Sequence, residues 1–282
     1  MKKVDYEQIL FSLRLLNIEP GDILLMHSAL TSIGYVEGGA DAVIDAFLEA
    51  IGPEGTLVMS TLTMWDAPYD AENTPSAVGI ISEVFRKHPG VLRSLHPVHS
   101  VAAFGARAEY IVKDHELCET GCGVGTPYMK IAELGGKVIL LGVDMDRNTM
   151  MHTLEEMIDA RFLLTLEIPA PLYAPYNGKG SFVLKKFPPG HRDFLHITSL
   201  LREKGAMIEG KIGNAVTKVI DAKKLLSLGV SALQDNPLYF ICENEHCNFC
   251  RFARGTYAED QPRIHRENHC KDPHCEICVP PQ

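Results

Sequence analysis

Residues 22–60 constrain this chain more than any other stretch. Two short apolar runs, DILLMH at 22–27 and TLVMS at 56–60, flank a small-residue loop and a helical segment. In residues 40–51, Val43, Ile44, Phe47, Leu48 and Ile51 fall on one helical face, and Gly52-Pro53-Glu54-Gly55 turns into the second run. Strand, loop, helix, turn, strand is a βαβ rhythm, which implies an α/β sheet with helices packed on its faces. A helix over 6–16 stops at Pro20-Gly21, and further along come a helix at 79–87, a strand at 101–104 and a helix ending at 131–135. The polar loop WDAPYDAENTPSA at 65–77 is long for a compact domain, where such loops are usually functional or mobile. Beyond Met157 the pattern weakens until a helix at 192–204.

A third buried run, Val138 to Leu141, opens the stretch GKVILLGVDMDRNTMMHTLEEM at 136–157. A polar loop then leads to a helix starting at Asn148 or Thr149, both good N-cap types. His152 lies three positions after Thr149 and Glu155 three after His152, which on a helix stacks hydroxyl, imidazole and carboxylate along one face. Open α/β sheets hold ligands at the C-terminal ends of their strands, and such a set there can transfer a proton. The spacing alone equally describes a capped surface helix with a solvated histidine.

With 282 residues, 46% apolar, the chain can form one large domain or a domain with an appendage. A net charge of −9 is unlike a nucleic-acid binder and suits a cationic small partner. Asp5 and Glu7 break any leader-like apolar core and no run approaches a membrane span, so the expected location is cytoplasmic. In that compartment paired thiols are more often metal ligands than disulfides. Six of the eight cysteines fall in the last forty-one residues, which sets a Cys/His-rich tail at 239–282 apart from a domain at 1–238. Cys247-x-x-Cys250 and Cys275-x-x-Cys278, each preceded by a histidine, are the expected thiolate ligands of a structural Zn2+. Cys242, Cys270, His246, His265, His269 and His274 are alternative ligands.

Two other segments carry chemistry. The loop at 27–39, HSALTSIGYVEGG, sits between strand and helix, where backbone N–H groups can cradle a phosphate or a thioester arm. It has neither the G-x-G-x-x-G spacing nor a phosphate-loop lysine, and an ordinary βα turn reads the same way. In RSLHPVHS at 93–100, Arg93 can pair with a phosphate. His96 or His99 beside Ser100, or with Cys122, would be the makings of a hydrolase, although no G-x-S-x-G elbow is present.

Three blocks, HSALTSIGYVEGG at His27, SLHPVHSVAAFG at Ser94 and LLGVDMDRNTMMHTLEE at Leu140, together resemble the antibiotic N-acetyltransferases of the aminoglycoside 3-N-acetyltransferase type. The match runs from about Tyr6 to Met157 and more loosely to Leu228. The resemblance implies a three-layer α/β/α sandwich around a mixed sheet, distinct from the GNAT acetyltransferases, with the cysteine tail outside the family core. It also implies transfer of an acetyl group from acetyl-CoA to an amine, in antibiotic resistance the 3-amino group of a 2-deoxystreptamine aminoglycoside. On this likeness His152 and Glu155 are the catalytic pair, with Thr149 beside them. Ser28, Thr31, Ser32, Ile33 and Gly34 match the segment that holds CoA, and Arg93 and Ser94 are placed for its phosphates. Ala29 stands where the family often has a second hydroxyl, which puts one hydrogen bond to CoA in question.

For a polycationic acceptor, Asp66, Asp70 and Glu72 on the long loop, with Asp144 and Asp146, supply negative charge, and Trp65 or Tyr69 a face for a sugar ring. The expected partners are a small amine and CoA, with neither nucleic acid nor membrane, and a homo-oligomer is compatible with the sequence. A different acceptor amine, or a non-catalytic zinc-tailed binding protein on the same fold, are the competing readings.

Overall fold

The all-apolar runs become central strands because both of their faces are covered. The computed structural model describes residues 3–118, 120–244 and 246–258. Its main strands are β1 (Ile23–Ser28), β2 (Thr56–Ser60), β3 (Leu92–Arg93), β4 (Val101–Gly105), β5 (Lys137–Leu141), β6 (Leu164–Pro169), β7 (Ser181–Phe187), β8 (Met207–Ile212) and β9 (Ala215–Asp221). Among the described residues, seven of these form one mixed sheet in the order β8-β9-β5-β1-β2-β4-β3. The central β5, β1 and β2 run parallel, and the strands outside them pair antiparallel.

Alternation along the strands builds two cores. Ile23, Leu25, Val58, Val138 and Leu140 face one side, while Leu24, Met26, Leu57, Met59, Ile139 and Leu141 face the other. The second side is covered by α1 (Tyr6–Leu15), α2 (Gly39–Ile51) and α3 (Ile80–Phe85), through Leu13, Phe47 and Phe85. The first is covered by α4 (Ala108–Val112), α5 (Pro127–Glu133), α6 (Met151–Met157), α7 (Ile197–Glu203) and α8 (Ala222–Asp235), through Ile111, Ile131, Leu154, Leu201 and Leu225. Each such buried side chain contributes about 1.5–3 kcal/mol relative to exposure. The mixed sheet expected from the family likeness is therefore present, with helices on both faces.

The structure adds elements where the sequence pattern weakens. β6 and β7 pair as an antiparallel ladder whose inner residues, Leu166, Ile168, Phe182 and Leu184, pack with Val98 in a third cluster. The helix anticipated at 192–204 is a 3-10 turn, Phe194–His196, followed by α7. A last helix, α9 (Asn248–Tyr257), lies against Phe162 and Leu163. Packing is continuous across residue 239, since Leu238 and Ile241 belong to that same cluster. No helix among the described residues is long and apolar enough to cross a membrane.

Candidate active site

β1, β2 and β5 end side by side, and the chain leaves β1 for β2 on one side while β5 lies on the other. A crevice opens at such a switch point because the loops diverge. Here it is a cleft of about 450 Å³, lined among others by His27, Ser28, Ser60, His99, Thr149 and His152.

α6 brings His152 to this cleft. The helix begins at Met151 with Met150 as N-cap, slightly later than expected. Asn148 supports the preceding turn, its side-chain oxygen accepting from the Met150 N–H at 3.1 Å. Thr149 therefore sits in the turn, buried and facing the cleft, while His152 and Glu155 share a helix face. His152 Nδ1 lies 2.8 Å from Glu155 Oε2. Glu155 is 1% exposed, and Arg192, buried as deeply, donates to it through Nε and, at 3.5 Å, through Nη2. Burial pushes the Glu155 carboxyl up, but the Arg192 charge and the His152 contact outweigh it and hold the group below the usual carboxylate range. Arg192 is itself sandwiched, its guanidinium 4.5 Å from the Phe162 ring centre and 4.0 Å from that of Phe249.

The other buried histidines differ in kind. His27, His99 and His115 are buried without a carboxylate partner, and desolvation lowers them to about 4, 3 and 3. They are neutral at ordinary pH, whereas His152 has an acid behind it and the cleft in front.

Comparison with known proteins accounts for this arrangement. The aminoglycoside 3-N-acetyltransferase family profile matches residues 25–234. The chain belongs to that family. It is 31% identical over 232 residues to aminoglycoside N(3)-acetyltransferase IV from a Salmonella species, covering 80% of this chain and 86% of that one. It also superposes on a histidine-to-alanine variant of aminoglycoside acetyltransferase AAC(3)-IVa in complex with a gentamicin, with a TM-score of 0.83 at 30% identity over 91% of this chain and 98% of that chain. The enzyme AAC-IIIb, solved with CoASH, gives a TM-score of 0.76 at 26% identity over 83% of this chain and 97% of that chain. Like the members it resembles, this protein is an acetyltransferase.

Within the acetyltransferase, the expected site residues separate. Ser28 and Asp146 line the cleft. Thr31 is exposed on the one-turn helix Leu30–Ile33 that follows β1, Ile33 is fully buried, and Ser32 donates to the Gly142 carbonyl at 2.9 Å, which ties that turn to the end of β5. Gly34 needs its φ of +106°, and a Cβ there would lie 3.0 Å from Asn214. Arg93 does not face a phosphate site: its nitrogens donate to the carbonyls of Thr61, Ala71 and Thr74 and to the hydroxyls of Thr61 and Ser100. Ser94 is buried between the Val101 N–H and His115 Nδ1, each at 2.9 Å. Tyr69 is also buried, its hydroxyl donating to the Ser94 carbonyl at 2.8 Å, so it offers no face to a sugar. Trp65 packs edge-on against Phe187 with ring centres 5.1 Å apart, and Asp144 is held by the Met145 N–H and Lys218. Asp66 is exposed on its loop.

The hydrolase reading loses its nucleophiles. Ser100 is fully buried and donates to the Thr61 carbonyl, and burial raises the Cys122 thiol well above its ordinary value. Of the expected metal ligands, Cys247 and Cys250 stand together, while Cys275 and Cys278 lie outside the described residues. Arg192 had no local signal in the sequence, because it meets Glu155 across 37 positions of chain.

Proposed function

We propose that the protein transfers the acetyl group of acetyl-CoA to the 3-amino group of a 2-deoxystreptamine aminoglycoside, with His152 as general base. The observation that carries this reading is the chain His152–Glu155–Arg192, whose imidazole end lines the strand-end cleft. An ammonium is not a nucleophile, so the acceptor must lose a proton before or during attack. With Nδ1–H donated to Glu155, Nε2 is the nitrogen left to take it. The ionised Glu155, held by Arg192, stabilises the imidazolium that results. The freed amine attacks the thioester carbonyl directly, and CoA leaves as the thiol.

The first amides of α6 already donate to the carbonyls of Asn148 and Thr149, so the Thr149 hydroxyl is the candidate donor to the oxyanion. Ser28, Thr31, Ser32 and Gly34 form the loop that would hold the CoA arm, with Ile33 anchoring it in the core. Asp146, in the cleft wall, would attract a cationic acceptor. Support for the two substrates also comes from relatives solved with CoASH and with a gentamicin.

The test is thiol release from acetyl-CoA with a panel of aminoglycosides and simple amines. His152→Ala should lose about 10²–10⁴-fold in turnover while CoA binding persists. Wild-type turnover in that variant, or release independent of amine, would reject the mechanism. Release with simple amines but no aminoglycoside would reject the substrate.

A further inference from the structure

Acetyl transfer leaves one chemically distinctive cluster unused. His191, Cys242, Cys247 and Cys250 each bring one ligand-type atom within 4.8 Å of the others. His191 Nδ1 lies 3.6 Å from Cys250 Sγ and 3.9 Å from Cys247 Sγ. A tetrahedral zinc, with bonds of about 2.3 Å to sulfur and about 2.0 Å to nitrogen, sets its ligand atoms roughly 3.5–3.8 Å apart. The three thiols are free rather than bridged as disulfides. Cys247 is the N-cap of α9 and Cys250 lies one turn inside it, which turns both sulfurs toward one point.

The cluster is joined to the catalytic chain by covalent neighbours. His191 precedes Arg192, whose Nη1 folds back to donate to the carbonyls of Pro189 at 2.8 Å and His191 at 2.9 Å. Phe249, between the two α9 cysteines, stacks on the Arg192 guanidinium. Gly190 permits this approach: with φ +68°, it leaves open a space where a Cβ would sit 2.6 Å from the Phe249 ring. One side of the aromatic sandwich around Arg192 thus belongs to the helix that carries two of the thiols. The imidazole belongs to the segment that carries Arg192.

We propose that His191, Cys242, Cys247 and Cys250 coordinate a zinc-class divalent cation whose work is to clamp α9 onto the 188–192 segment and so hold Arg192 against Glu155. Binding releases the thiol protons to solvent and leaves three thiolates and a neutral imidazole on the ion. The coordination sphere closes with these four ligands, leaves no open position for catalysis, and needs neither Cys275 nor Cys278. Arg192 is then a positioning residue under metal control. The metal site rests on its own geometry, while its effect on turnover rests on the role given above to His152 and Glu155.

The full-length protein, purified without chelator, should carry one zinc per chain by elemental analysis. Replacement by cobalt should give the absorption of a tetrahedral site with three thiolates, read on the wild-type protein. Cys242→Ser with Cys247→Ser should abolish binding, and Cys275→Ser with Cys278→Ser should retain it. A metal-free protein, an octahedral or four-thiolate cobalt spectrum, or metal loss in the second pair overturns the ligand set. Stripping the metal should speed hydrogen exchange at the Gly190, His191 and Arg192 amides and lower kcat on the order of 10²-fold, with the KM for acetyl-CoA little changed and zinc restoring both. Unchanged exchange overturns the clamp. Faster exchange with unchanged kcat leaves the clamp standing and instead removes Arg192 from the proposed mechanism.

Discussion

Glu155 and Glu156 are neighbours on one short helix, 1% and 5% exposed, yet their carboxyls are driven in opposite directions. Glu155 meets a guanidinium and an imidazole, which hold it ionised despite burial. Glu156 turns to the other side of α6, where Oε1 accepts the Cys122 N–H at 3.1 Å. Burial pushes it up to about 8, offset only in part by Thr120 and that amide. Depth is the same for both; a counter-charge separates an ionised carboxylate from a proton-holding packing group.

Breaking the Glu155 side should have the largest effect. Arg192→Met strands a buried carboxylate and is expected to cost about 3–5 kcal/mol in denaturant unfolding, along with most of the turnover. Adding Glu155→Gln to that variant should recover much of the stability and none of the turnover. A stable Arg192→Met protein would mean that the guanidinium is not what keeps Glu155 charged.

The Glu156 side is tested by pH. Its folded value lies near 8 and its unfolded value near 4.5, so the folded state keeps a proton that the unfolded chain has lost. Stability from this group is complete below about pH 4.5 and falls as pH rises toward 8, on the order of 5 kcal/mol in all at about 1.4 kcal/mol per pH unit. His27, His99 and His115 act in the opposite sense, because their folded values lie below the unfolded 6.5. Their contribution is present above about pH 6.5 and is lost as the pH falls. Urea midpoints for Glu156→Gln should therefore rise from acid to near-neutral pH and then stay level, where the wild type declines. A declining Glu156→Gln curve would place the titration elsewhere.

The central sheet was legible because β1, β2 and β5 are covered on both sides and so run unbroken apolar. β7 was less so: its burial alternates, with Phe182 and Leu184 inward and Val183 and Lys185 outward, a half-exposed pattern mixed with lysines. The histidine and acid of the site share one helix turn, and i, i+3 spacing exposes such pairs. Arg192 was invisible for the reason that made Arg93 misleading. An arginine's partners are set by tertiary structure, and beside serines and histidines Arg93 reads as a phosphate ligand while it in fact pins the 65–77 loop. The tail was read by spacing, which finds Cys-x-x-Cys but has no means of finding a lone His191 about sixty positions upstream.

A smaller effect sharpens the Glu156 environment. Gly123→Ala would place a Cβ 2.5 Å from Glu156 Oε2 and 2.6 Å from Thr120 Oγ1. Overpacking of this kind should cost about 1–3 kcal/mol in thermal or urea unfolding. No loss would show that the pocket around the carboxyl is loose rather than close-packed.

Asp146 completes the series as an acid in the cleft wall with a side chain 47% exposed, paired at 3.2 Å with a still more exposed Arg147. Water screens such a pair, so Asp146→Asn should change stability by less than about 1 kcal/mol. Its charge acts instead on the approaching ligand. The KM for a polycationic aminoglycoside should rise by about two- to fivefold at low salt, with kcat unchanged and the difference shrinking as salt shortens the Debye length to about 8 Å at physiological strength. A salt-independent rise would mean that Asp146 binds the acceptor by direct hydrogen bonding. A fall in kcat would move it into the group that orients the amine.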